Sequence, residues 1–232
     1  MVTLYLIPFF GEQIRTTDNF NPLRRDIIVT RIILARHGEV PGITPERFRG
    51  RTELELTAHG AVQARVTGCY IARRWRPVMV YTSPLHRCVA TGAQIASACE
   101  VPAQVLPQLV DLDYGAWQGL SHQEVRSAWP GEYLQWRSSP QQVRFPGGDS
   151  LQDMAARTAG ALRIVAERHP QDTVVLVGHD STNRVLLLQM LDLPLASYWM
   201  LVQDPCAISE FELEQDHRTV RCINETAHLL GT

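Results

Sequence analysis

RIILARHGE, residues 31–39, opens with an apolar run of strand length that stops at Arg36-His37-Gly38. Such a run predicts a buried strand that delivers polar residues at its end. DTVVLVG at 172–178 repeats the pattern and stops at Gly178-His179-Asp180. Working outward from these two, VMVYTS (78–83) and AQVL (103–106) read as further strands. Between them Ala61, Val62, Val66, Cys69, Tyr70 and Trp75 recur at helical spacing behind a capping Thr57, and an Ala-rich helix runs from Pro84 to about Cys99. Ser150 with Asp153 predicts a capping box ahead of a helix to about Arg168, and another helix covers roughly 181–191. CAISEFELE (206–214) and RTVRCINE (218–225) read as two antiparallel strands around a turn at Gln215-Asp216.

Strands alternating with helices predict an α/β fold, a three-layer sandwich with a mostly parallel central sheet flanked by helices. From Pro107 to Pro146 the periodicity dissolves into Gly, Trp, Ser and Pro, with short helical pieces near 121–128 and 132–137. This predicts a small helical and loop insertion of about 111–146, over the active site and outside the core. Residues 1–29 read as an N-terminal extension and 30–232 as one domain, with no internal repeat.

Composition excludes several chemistries. The chain has 232 residues, and all 22 of its basic residues are arginine. Without lysine neither a Schiff base nor a Walker-type phosphate loop can be built. A net charge of −2 gives no footprint for nucleic acid. Five cysteines, odd in number and never in a CxxC pair, argue against a disulfide framework or a structural zinc site. The N-terminal MVTLYLIPFF lacks a basic flank and a cleavage site and is too short to span a membrane, so a cytoplasmic location without membrane attachment is expected.

His37 and His179 stand out among the eight histidines because each follows a strand, at the sheet edge where α/β proteins assemble sites. Arg36 precedes one, and Arg87 lies one turn into the helix after the second strand. Two guanidiniums flanking two imidazoles suit a phosphoryl dianion. His59, His86, His169, His217 and His228 fall on helices, helix ends or the tail, where packing or solvation accounts for them.

RHGE at 36–39, RFRG at 47–50, LT..G at 56–60, SPLHRC..T at 83–91, DLDYGAWQG at 111–119, FPGGDS at 145–150 and GHD at 178–180 follow one another in the order of a known family. Over residues 30–215 the chain resembles the histidine phosphatase superfamily, in its phosphoglycerate-mutase-like branch. The resemblance implies that His37 is a nucleophile forming a phosphohistidine and that Arg36, Arg87 and His179 hold the phosphoryl oxygens, with no metal and no cofactor. It implies an acid for the leaving group at Asp111, one methylene shorter than the usual Glu. Asp180 is the alternative, since another branch takes the acid from an HD pair; its structural role would be a helix N-cap. The family's usual phosphate-pocket Ser or Thr and Asn are replaced by Val40 and Ile43, and Arg49 is a candidate for the missing donor.

A mutase of this family carries a long insertion and a lysine where this chain has His122. The expectation is therefore metal-independent hydrolysis of a small-molecule phosphomonoester, with mutase-type transfer or a non-catalytic phospho-ligand module as alternatives. The substrate is left open. Tyr114, Trp117, Trp129, Tyr133 and Trp136 would either bound it or pack the insertion, and LPLASYWMLV (193–202) would serve as core or as a homodimer interface.

Overall fold

The structure is a computed structural model that describes residues 29–214 and 217–231. The expected extension, apart from residue 29, and the expected turn at Gln215-Asp216 lie outside the described residues. A six-stranded sheet runs in the order β3-β2-β4-β1-β5-β6. Its strands are β1 (Thr30–Arg36), β2 (Met79–Thr82), β3 (Ala103–Val105), β4 (Thr173–Gly178), β5 (Ile208–Leu213) and β6 (Arg218–Glu225). Pairings from β3 to β1 are parallel, while β5 and β6 join antiparallel beyond β1.

The helices are α1 (Ala58–Arg74), α2 (His86–Cys99), α3 (His122–Ala128), α4 (Pro130–Ser138), α5 (Leu151–Arg168) and α6 (Asp180–Met190). Thr57 caps α1 through Gly60 N, and Ser150 with Asp153 closes the capping box of α5. The strand alternation splits the core in two. Ile32, Leu34, Val174, Leu176 and Phe211 face one layer, and Ile33, Ala35, Val175, Val177 and Ile208 face the other. Among the described residues no helix is long and apolar enough to cross a membrane.

Two expectations need correction. Pro84 does not open α2, whose cap is Leu85; the Leu85 carbonyl accepts from Cys88 N and Val89 N, so the proline stands ahead of the helix. Nor does the 107–146 stretch lie outside the core. Leu109, Leu112, Trp117, Val125, Trp136, Val143 and Phe145 are buried in the same cluster as Ile32 and Leu34. Its pieces are too short to show a period, yet most of their large apolar side chains turn inward, Leu134 being the exposed exception.

Candidate active site

β1 and β4 pair in parallel with Arg36 opposite Gly178, so the two strands end level and release their histidines side by side. His37 N donates to Gly178 O at 3.0 Å, and the two imidazole centroids are 5.3 Å apart. Gly38 permits this turn to press against α1, since a Cβ there would stand 2.4 Å from Gly60 O. That contact explains why RHGE is followed by LT..G. Glu39 completes the join by accepting from the Thr57 hydroxyl at 2.8 Å.

His37 is buried, and its Nδ1 lies 2.7 Å from Gly38 O. A carbonyl can only accept, so Nδ1 carries the proton and Nε2 keeps its lone pair. Burial, then the charges of Arg36 and Arg87, hold the ring well below the ordinary imidazole pKa and therefore neutral. Arg36 is anchored from the far end of the chain. Its side chain donates to Gln203 O and its N to Ala207 O, while its buried Nε has no partner among the described residues. Cys206 N donates to His37 O at 3.2 Å in the same loop.

Arg87 is completely buried and almost fully committed. It donates from Nε to His179 Nδ1 at 3.2 Å, from Nη1 to Thr52 O at 2.7 Å, and from Nη2 to Gly50 O at 2.6 Å and Asp111 Oδ2 at 3.2 Å. Because a guanidinium only donates, His179 Nδ1 is the acceptor and Nε2–H points to Ser83 Oγ, 2.7 Å away. Burial, then Arg87, keep His179 well below its ordinary pKa. Cys88 Sγ packs 3.4 Å from the same ring.

Asp111 reaches this cluster from the 111–117 loop. Its Oδ2 lies 3.7 Å from His179 Nδ1, and its Oδ1 accepts from Leu112 N at 2.9 Å. Burial pushes its carboxyl up from the usual range, against the pull of Arg87. The loop is fixed by FPGGDS. Gly115, at φ +51°, leaves no room for a Cβ, which would stand 2.1 Å from Pro146 O. Asp149 accepts from Arg51 at 2.8 Å and Arg157 at 3.3 Å.

Asp180 is not a helix N-cap. It is the first residue of α6, behind the cap residue His179, and its carboxylate accepts from Arg184 Nε at 3.0 Å. It lines one cleft with His37, Asp111 and Arg49. Arg49 Nη1 donates to Gly42 O at 2.5 Å, while Val40 is buried in the core and offers no donor. All seven site residues expected from the sequence therefore converge on one sheet edge. His59, His86, His169 and His228 instead bond to Gln63, Glu55, Asp172 and Thr67, away from the cleft.

The outer wall of the cleft comes from Glu46, Arg47, Phe48, His122, Trp136, Ser181, Tyr198 and Trp199. Glu46, Ser181 and Trp199 carry no sequence signal that would have flagged them. Tyr114 and Tyr198 both bond to Ser181 Oγ at 2.8 Å. Of the five tyrosines and tryptophans of the 111–146 stretch, Tyr114 and Trp136 reach the cleft, whereas Trp129 and Tyr133 pack on Trp117. The 193–202 stretch serves as core at Tyr198, which also forms part of the cleft wall, and is exposed at Met200 and Val202.

The sequence profile of the histidine phosphatase superfamily (branch 1) matches residues 32–226. The chain belongs to this superfamily. Phosphoserine phosphatase 1 of Hydrogenobacter thermophilus is 29% identical over 201 residues, covering 87% of this chain and 95% of that protein. Glucosyl-3-phosphoglycerate phosphatase of Mycolicibacterium vanbaalenii is 30% identical over 183 residues, covering 75% and 79%. Among solved structures, YhfR of Bacillus stearothermophilus superposes with a TM-score of 0.81 at 23% identity, over 86% of this chain and 99% of that one. This superfamily member is a phosphomonoesterase.

Proposed function

We propose that the protein hydrolyses a small-molecule phosphomonoester in two steps through a phosphohistidine at His37, without a metal. The observation that carries this reading is the state of His37: neutral, with Nδ1–H held by Gly38 O and the Nε2 lone pair free. Nε2 attacks phosphorus as the P–O bond to the leaving group breaks, and Asp111 delivers its proton to the departing oxygen. Water then attacks the phosphohistidine. Asp111 takes a proton from that water, the P–N bond breaks, and inorganic phosphate leaves.

Burial favours the protonated form of Asp111 that the first step needs, whereas Asp180 is engaged by Arg184 at 3.0 Å. In this reading Arg36, Arg87 and Arg49, whose charges all act on His37, stabilise with His179 the equatorial oxygens of a loose transition state. The arginines supply the positive charge that a metal provides elsewhere. The relatives' substrates make phosphoserine and glucosyl-3-phosphoglycerate the first esters to try. A reducing cytoplasm is the compartment in which its five free cysteines would stay thiols.

The test is turnover of p-nitrophenyl phosphate in EDTA with acid quenching. Turnover should persist in EDTA, fall by about 10⁴-fold or more in His37→Ala, and leave acid-labile, base-stable phosphate on His37 of the wild type. Label on a serine, or activity lost to EDTA, refutes the mechanism.

A further inference from the structure

The cleft has two ends of different electrical character. At its floor, around His37, the positive charge of Arg36 and Arg87 dominates. At its mouth stands Glu46, from the loop that precedes RFRG. Three carboxylates line this cleft, and they differ in what neutralises them. Asp111 faces Arg87 at 3.2 Å, and Asp180 faces Arg184 at 3.0 Å. Glu46 Oε2 has His122 Nε2 at 3.4 Å, and the other nitrogen of that ring is 3.2 Å from the Tyr133 hydroxyl. A guanidinium is always charged and an imidazole is not. Among the described residues Glu46 is thus the cleft carboxylate with no arginine at ion-pair distance, the charges of Arg49 and Arg184 reaching it only from farther off.

The nearby arginines direct their hydrogen bonds elsewhere, although Arg49, bonded only to carbonyls, keeps its full charge. Arg47 Nη1 donates to Gly119 O at 2.9 Å and pairs with Glu124 at 3.4 Å, and Arg49 Nη1 donates to Gly42 O and Arg47 O. His122 is also held in place by the ring of Phe48, 4.5 Å centroid to centroid. The hydrogen bond from His122 holds the Glu46 carboxyl below its usual range, so it is ionised near neutral pH.

A substrate enters with its phosphoryl dianion at the floor and its leaving group toward the mouth. A carboxylate at the mouth repels an anionic leaving group and attracts a cationic one.

We infer, on top of the hydrolysis proposed above, that Glu46 with His122 forms a leaving-group subsite for an ammonium group, and that the substrate is a small amino-bearing phosphomonoester. The two substrates named for the relatives differ in this respect, since phosphoserine carries an ammonium and glucosyl-3-phosphoglycerate does not. An amino acid or amino alcohol phosphate satisfies both ends of the cleft at once, with the dianion on the arginines and the ammonium on Glu46. One unit-charge contact at a partly exposed site is worth about tenfold in affinity.

O-phosphoserine and 3-phosphoglycerate form the decisive pair, because they differ chiefly in an ammonium replaced by a hydroxyl. Phosphoethanolamine against 2-hydroxyethyl phosphate repeats the comparison without the carboxylate. The wild type should favour the amino member of each pair by about tenfold or more in kcat/KM, mainly through KM. Glu46→Gln should collapse that ratio toward one, and Glu46→Asp should restore part of it.

Equal treatment of both members by the wild type, with p-nitrophenyl phosphate turned over normally, overturns the subsite and leaves the phosphatase mechanism standing. So does a ratio unchanged in Glu46→Gln. No turnover of any ester by the wild type refutes the underlying mechanism instead. The wild-type ratio needs no variant, so a ratio near one overturns the subsite even if a Glu46 substitution unfolds the loop.

Discussion

The floor and the mouth of the cleft are built on different principles. At the floor every group is buried and cross-braced: His37 by Gly38 and Gly178, His179 by Ser83 and Arg87, and Arg87 by two carbonyls and a carboxylate. At the mouth Glu46 projects exposed from a loop and leans on one histidine. Chemistry that must hold a transition state demands the first arrangement, because small displacements cost rate steeply. Selection among leaving groups needs only a charge of the right sign, and a lightly held side chain supplies it.

Substitutions should separate the two regions sharply. Arg87→Lys should cost the most after loss of the nucleophile, about 10³-fold in kcat, because a tetrahedral ammonium cannot serve His179, Thr52, Gly50 and Asp111 together. A loss under tenfold would show that the bracing at the floor is dispensable. Asp111→Asn should follow, lowering turnover of alkyl phosphates by about 10²- to 10³-fold and of p-nitrophenyl phosphate far less, since a good leaving group needs no proton. A larger effect from Asp180→Asn than from Asp111→Asn would transfer the acid role.

Stability should follow the floor as well. His37 and His179 are held neutral with folded pKa values below the unfolded value of about 6.5. Below that pH the unfolded chain binds more protons than the folded one, so stability falls as pH drops toward the depressed folded values. The melting temperature should decline from about pH 6.5 downward, and His179→Asn should flatten the slope. A melting temperature constant between pH 7 and 5 would contradict the burial of these rings. At the mouth, His122→Asn should do least, changing the KM for an amino-bearing ester only a few-fold and leaving kcat alone.

The same division governs what could be read from the sequence. The floor was legible because it is built from strand ends: RIILA and VVLVG announce buried strands, and parallel pairing makes the polar residues beyond them meet. Arg87 was legible for the same reason, one turn past β2. Asp111 was legible only through family resemblance, because its position depends on Gly115 and Asp149 locking an aperiodic loop, which no local pattern encodes. Glu46, Ser181 and Trp199 were not legible. Each is an ordinary residue whose meaning comes from a neighbour distant in sequence, such as His122 for Glu46 and Tyr114 for Ser181. The 107–146 stretch reads as lying outside the core because isolated inward-facing aromatics mimic a loop when they lack a period.

The loop at 203–207 carries one more consequence. It grips Arg36 and His37 from a point some 170 residues downstream, through Gln203, Cys206 and Ala207. The nucleophile is thus assembled from both halves of the polypeptide. If the chain were divided in the α6–β5 connection, the first fragment would own both histidines but not the grip that orients one of them. Turnover would then report reunion of the fragments, making this phosphatase a natural split reporter.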